Sequence, residues 1–181
     1  IIAAAAGEKV IVQNVIPQHL EAVTSKLKEI GVKMDIVGDS IIVHGGIENL
    51  KPVDIRTQVY PGFATDLQQP LTTLLTQCQG ESQVVETIYP ERFGHCYQLN
   101  SMGANIIQEE AMCFVNGPTP LHGTRVYATD LRCGAALIVA GLMAKGVTEI
   151  GNVYHIDRGY ANIDQKLITL GAVIRRIKVD D

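Results

Sequence analysis

No stretch of the 181-residue sequence is apolar for long enough to span a membrane, and Asp130, Arg132 and Lys145 bracket the most apolar one. No Lys- or Arg-rich segment precedes the first apolar stretch, so nothing resembles a signal peptide. An excess of positive charge is also missing. The net charge of −4 and a pI near 5.7 argue against a broad nucleic-acid-binding face, although a local basic pocket for a small anion is compatible with them. The four cysteines, Cys78, Cys96, Cys113 and Cys133, form no CxxC pair and have no metal-like spacing with histidine. Each lies among apolar or small residues, where a free thiol behaves as a small buried hydrophobe, and the reducing cytosol is the expected compartment. His19, His44, His95, His122 and His155 share no ligand spacing and are read as loop or surface residues. Neither a P-loop nor a GxGxxG pattern occurs, which leaves a nucleotide cradle of those types without support.

What is present is a globular composition, 46% apolar, sufficient for one domain with a sizeable core. It is organised as a repeat. LKEIGVKM (27–34), LNSMGANI (99–106) and LITLGAVI (167–174) each read as an apolar helix ending at a glycine, followed by a short strand. Glycine suits a helix C-terminus because the left-handed conformation costs it nothing. A second glycine recurs upstream at Gly7, Gly80 and Gly146, with separations of 24, 23 and 25 residues to Gly31, Gly103 and Gly171. Each precedes a β-rich stretch: KVIVQNV, SQVVETI and VTEIGNV. Turn signals GD, GG, NG and HG interrupt the strands between units. The expected fold is α/β (α+β), with three βαβαββ-type units of roughly 65 to 70 residues related by pseudo-threefold symmetry. The first unit begins inside its buried helix and the third stops at RRIKVDD without a closing strand pair. The chain is therefore expected to be one domain, 1–181, incomplete at both ends and part of a longer protein.

Charges recur with the repeat. TDL stands at 65–67 and 129–131, each time before an apolar run, which makes Asp66 and Asp130 equivalents at helix N-termini. One reading is that the Thr or the Asp caps the helix and meets its dipole. Arg132 opposes that dipole, so it requires a partner, either an anion or Asp130 itself. The loops entering each second helix read IPQHL (16–20), YPERFGH (89–95) and YHIDRGY (154–160). Arg92 and Arg158 fall 11 and 13 residues before their closing glycines. Pseudo-threefold symmetry would gather Asp66, Arg92, Asp130, Arg132 and Arg158 on one surface. Such a set can clamp a phosphate- or carboxylate-bearing substrate, with an aspartate kept ionised to accept a hydroxyl proton. A surface ion-pair network of little energetic weight fits the same spacing.

FATDLQQPLTTLL, ETIYPERFGHCYQLNSMGANI, YATDLRCGAALIVAGL and YHIDRGYANIDQKLITLGAVI together resemble the UDP-N-acetylglucosamine 1-carboxyvinyltransferase family of enolpyruvyl transferases, over the whole chain. The resemblance implies the C-terminal domain of a two-domain bacterial cytoplasmic enzyme. Its reaction moves the enolpyruvyl group of phosphoenolpyruvate to the 3-hydroxyl of UDP-N-acetylglucosamine and releases phosphate, the first committed step of peptidoglycan precursor synthesis. It implies no cofactor, no metal, no nucleic acid and no membrane; the partners are the two substrates and the N-terminal domain of the same protein. By resemblance Asp66 contacts the sugar hydroxyl as base, and Ile88 contacts the nucleotide sugar through its backbone. Arg132 and Arg158 hold the carboxylate and phosphate of phosphoenolpyruvate, Arg92 lies near them, and Asp130 supports the set. The family's cysteine proton donor belongs to the other domain, so none of the four cysteines here takes that role and this chain alone is expected to be inactive. The shikimate 3-phosphate transferase is the sibling alternative. The RNA 3′-phosphate cyclase, a relative by fold, is disfavoured by the acidic balance and by HIDRGY.

Overall fold

The computed structural model describes residues 1–178; Val179–Asp181, which close the RRIKVDD stretch, lie outside the described residues. Helices and short strands alternate, and the glycine signals explain many of the boundaries. The chain opens with α1 (Ile2–Ala6), β1 (Lys9–Val12), a 3-10 turn (Pro17–Leu20), α2 (Glu21–Ile30), β2 (Lys33–Val37) and β3 (Ser40–His44). There follow β4 (Ile55–Arg56), α3 (Thr65–Leu75), β5 (Gly80–Val85), α4 (Gly94–Ser101), β6 (Asn105–Glu109) and β7 (Met112–Gly117). The last part holds β8 (Arg125–Tyr127), α5 (Leu131–Met143), β9 (Glu149–Gly151), α6 (Tyr154–Asp157) and α7 (Ile163–Thr169). Gly31 and Gly103, with φ of +108° and +101°, turn the chain out of α2 and α4 in the left-handed conformation that glycine adopts without strain.

Three sheets result. The first runs β1-β3-β2 and is antiparallel; the second runs β4-β5-β7-β6; the third is the pair β8-β9. β4–β5 and β8–β9 are parallel, so each needs a crossover, supplied by α3 and α5. The remaining pairs of the second sheet are antiparallel, with the tight β6–β7 hairpin next to the long-range β5–β7 pairing. The class is mixed α/β.

The helices α3 and α5 pack on each other at the centre, with α1 against α5. Residues Gln68 to Leu75 of α3 are all buried, as are most of Cys133 to Ala140 in α5. α5 is apolar on nearly every side and so is enclosed on nearly every side. α3 is enclosed with it, the hydroxyls of Thr72 and Thr73 donating back to its own carbonyls, and only its first turn emerges from the core. No helix among the described residues is long and apolar enough to cross a membrane. One expectation is corrected here: His95 is wholly buried in α4 and stacks on Phe93, rather than lying in a loop or on the surface. The helix presents Cys96 and Leu99 to the core as well, and the imidazole shares that buried side.

All four cysteines are free and buried. Burial pushes the Cys78 thiol up to about 12. Cys133 is raised by burial as well, and Cys96 is raised first by its hydrogen bond with Cys113 and then by burial. These three are protonated packing groups at neutral pH.

Candidate active site

The first turn of α3 is the place to begin, because its residues decline the local role that the sequence offers them. Ala64 occupies the cap position of α3 and provides no side-chain cap. Thr65 is already the first helical residue, and its hydroxyl donates to Glu86 Oε2 at 2.8 Å instead of to its own helix. Asp66 then stands in the first turn with its side chain 61% exposed. Its Oδ1 accepts from Arg132 Nε at 2.7 Å and from Arg92 Nη1 at 3.3 Å. At α5 the helix begins two residues later in the TDL motif. Asp130 is the cap, in extended conformation, and its Oδ1 accepts from the amides of Arg132 at 2.7 Å and Cys133 at 3.2 Å. The expected equivalence of Asp66 and Asp130 therefore fails in detail. Capping accounts for Asp130 and leaves Asp66 without a local structural task.

Arg132 enters α5 against the dipole and is compensated by Asp66, whose hydrogen bond raises the guanidinium above its ordinary range while burial opposes. Arg92 comes from the turn before α4 and is only 14% exposed. Its Nη1 also donates to Thr65 Oγ1 at 2.9 Å, its guanidinium lies 4.0 Å from the centre of the Tyr89 ring, and its carbonyl accepts from Gln69 Nε2 at 3.3 Å. An ion pair with so exposed a carboxylate contributes about 0–1 kcal/mol to stability. Two arginines from separate elements converge on it nonetheless.

The segment carrying Arg158 reaches the same helix end. A side chain on Gly159 would stand 2.7 Å from Leu131 at the start of α5, and one on Gly134 would stand 2.4 Å from Ile156. Both glycines let this segment lie directly on α5. Burial raises the Tyr160 phenol, the Asp66 carboxylate adds to the rise and Arg132 opposes it, so Tyr160 stands within electrostatic reach of that pair. Arg158 itself is exposed and makes no side-chain hydrogen bond or ion pair among the described residues. Of the residues expected to share one surface, Asp66, Arg92 and Arg132 are joined directly. Asp130 serves the backbone beneath Arg132, and Arg158 stands apart from these contacts.

Ile88 lines an open depression of about 630 Å³ with Thr87 and the loop 58–62. Its amide is taken by Glu86 Oε1 at 2.9 Å, which leaves its carbonyl for any ligand.

Glu86 escaped the sequence reading altogether. It is 1% exposed, and both of its oxygens are filled. Oε1 accepts from Thr57 Oγ1 at 2.7 Å, Ile88 N at 2.9 Å and Tyr89 N at 3.1 Å, while Oε2 accepts from Thr65. A signal existed: Ser82, Val84 and Glu86 alternate on one side of the β5 segment, so strand periodicity puts a carboxylate on the inward face. Arg176 was also missed. It donates to Asp157 at 2.7 and 2.8 Å and to Asp164 at 2.8 Å, tying the stretch after α7 to the segment that bears Arg158. Among the described residues no three His, Cys, Asp or Glu side chains gather into a metal site.

A sequence profile of the family described as EPSP synthase (3-phosphoshikimate 1-carboxyvinyltransferase) matches residues 1–167. The chain belongs to the EPSP synthase family. It is 53% identical over 178 residues to UDP-N-acetylglucosamine 1-carboxyvinyltransferase 2 of Bacillus subtilis (strain 168), covering 98% of this chain and 42% of that protein. The enzyme of the same name from Geobacillus kaustophilus (strain HTA426) is 54% identical over 181 residues, again with 42% of its length covered. The chain thus spans less than half the length of these curated relatives. Among solved structures, the enolpyruvyl transferase NikO from Streptomyces tendae superposes with a TM-score of 0.88 at 30% identity, over 96% of this chain and 42% of that one. An EPSP synthase from Acinetobacter baumannii, at 17% identity and a TM-score of 0.63, shares the fold over 82% of this chain and 36% of its own.

Proposed function

We propose that this family member is the C-terminal domain of a two-domain enolpyruvyl transferase. It consists of three βαβαββ-type units in pseudo-threefold arrangement, the first and third incomplete within this chain. The strand orders β1-β3-β2, β4-β5-β7-β6 and β8-β9 support that reading, since the first and third match consecutive parts of the second. The complete enzyme transfers the enolpyruvyl group of phosphoenolpyruvate to the 3-hydroxyl of UDP-N-acetylglucosamine in the bacterial cytoplasm. The hydroxyl oxygen bonds to the enol carbon and a proton is added to the methylene carbon, giving a tetrahedral adduct. Loss of phosphate and of a proton from that carbon then restores the double bond.

The observation that carries the reading is the Asp66 carboxylate, free of capping duty and held between Arg92 and Arg132. Asp66 accepts the proton of the attacking hydroxyl. Arg132 and Arg158 hold the two anionic ends of phosphoenolpyruvate, with Arg92 beside them, and Asp130 fixes the turn that presents Arg132. Ile88 meets the nucleotide sugar through its carbonyl. The identity to transferases acting on UDP-N-acetylglucosamine favours that acceptor over shikimate 3-phosphate.

The test is phosphate release from phosphoenolpyruvate by the complete protein, with each acceptor supplied separately. Turnover with UDP-N-acetylglucosamine alone is expected, and Asp66→Asn should lower kcat by about 10²- to 10⁴-fold. Turnover with shikimate 3-phosphate instead would reassign the substrate, and an Asp66→Asn variant of unchanged rate would remove Asp66 from the chemistry.

A further inference from the structure

The arginine that braces Asp66 is itself braced, and the chain of hydrogen bonds leads inward. Thr65 has one hydroxyl proton, and the hydroxyl donates it to Glu86 Oε2 at 2.8 Å. Its lone pairs are thereby turned outward, where Arg92 Nη1 donates to them at 2.9 Å while also reaching Asp66. If the hydroxyl pointed the other way, Arg92 would face a donor. Glu86 Oε1 meanwhile accepts from the amides of Ile88 and Tyr89. Those bonds set the turn that lays the Tyr89 ring 4.0 Å from the Arg92 guanidinium. Thr57 completes the node: its hydroxyl donates to Oε1 at 2.7 Å and accepts from the Thr87 amide at 2.8 Å. Four donors and no acceptor converge on Glu86, the pattern that an ionised carboxylate satisfies.

We propose that Glu86 is a positioning residue: from beneath the site it orients the Thr65 hydroxyl and the Ile88–Tyr89 turn, and so sets Arg92 against Asp66. The proposal rests on the transferase reading above. Glu86 touches no substrate. Its effect passes through Thr65 and the turn to groups that do.

Glu86→Gln preserves volume, and the amide oxygen can keep the three bonds at Oε1. Its NH2 group then faces Thr65 and reverses the hydroxyl, which repels Arg92. In the complete protein this variant should raise KM for phosphoenolpyruvate about tenfold, with the folded fraction unchanged. Thr65→Val, which leaves three of the four donors to Glu86 in place, should reproduce the effect, and Thr65→Ser should restore wild-type behaviour. A readout independent of turnover is the nitrogen-15 NMR signal of the Arg92 guanidinium, whose rotation should speed up by about tenfold in Glu86→Gln and Thr65→Val. A purely structural role would lower the active fraction and leave KM and the guanidinium rotation as they were, which would overturn the proposal. If Glu86→Gln fails to fold, the Thr65 pair decides. Faster Arg92 rotation in a complete protein whose wild type lacks transferase activity would uphold the positioning and overturn the transferase reading instead.

Discussion

Asp66 and Asp130 share the tripeptide TDL and differ in what their carboxylates do. Asp130 accepts two amides of α5 and is part of that helix. Asp66 accepts only guanidinium groups from elsewhere in the chain. The two should therefore differ in what their replacement costs. Asp130→Ala should cost about 1 kcal/mol of stability through loss of the cap. Asp66→Ala should cost less than about 1 kcal/mol, since the pairs it loses are with a largely exposed carboxylate. Urea denaturation of both variants checks this, and a larger loss for Asp66 would make it a structural residue. The identity of the candidate residues was legible from spacing and resemblance. Which aspartate was free was not, because α3 begins two residues earlier in its TDL motif than α5 does, with Thr65 turned to Glu86.

At the scale of elements, the paired glycines do different work. Gly31 adopts φ +108° and has only the Asn49 carbonyl oxygen, 4.0 Å away, near its missing side chain, so Gly31→Ala should cost about 1–2 kcal/mol, the left-handed penalty alone. Gly45 is different: a side chain there would fall 1.7 Å from the carbonyl oxygen of Gly7 and 2.6 Å from that of Ala3. Backbone must move to admit it, and Gly45→Ala should cost at least about 3 kcal/mol. Comparing their denaturation midpoints tests whether the α1–β3 contact is as close as it is here; equal costs would count against it. The helix-ending glycines at 31, 103 and 171 were readable because their reason is local. Gly7, with φ −85°, owes its place to crowding by Val10 and Ala3, which periodicity alone does not explain.

For the whole molecule, the site is a surface built from the mouths of α3 and α5 and the turn before α4, with the Asp66 carboxylate open to solvent. A transfer reaction that adds a proton to carbon needs water excluded and an acid opposite the base. None of Cys78, Cys96 or Cys133 provides that acid, since their raised thiols lie in the core. The chain also spans 42% of its curated relatives. Under the transferase function proposed above, the 181-residue chain by itself is expected to release no phosphate from phosphoenolpyruvate, and turnover should appear when the part that its relatives have in addition is supplied in trans. Turnover by this chain alone would show that an acid has been overlooked within it.

The sequence by itself determined what depends on neighbours along the chain: where helices stop, where strands alternate, and which motifs carry the family likeness. Those features follow from backbone sterics and side-chain period, which act over a few residues. Only the tertiary structure decided the wiring of the site. The bonds from Thr65 to Glu86, Arg92 to Asp66 and Arg132 to Asp66 join residues 21, 26 and 66 apart. Their partners are chosen by how the crossover helices pack, and the proton direction at Thr65 is chosen by the buried carboxylate beneath it.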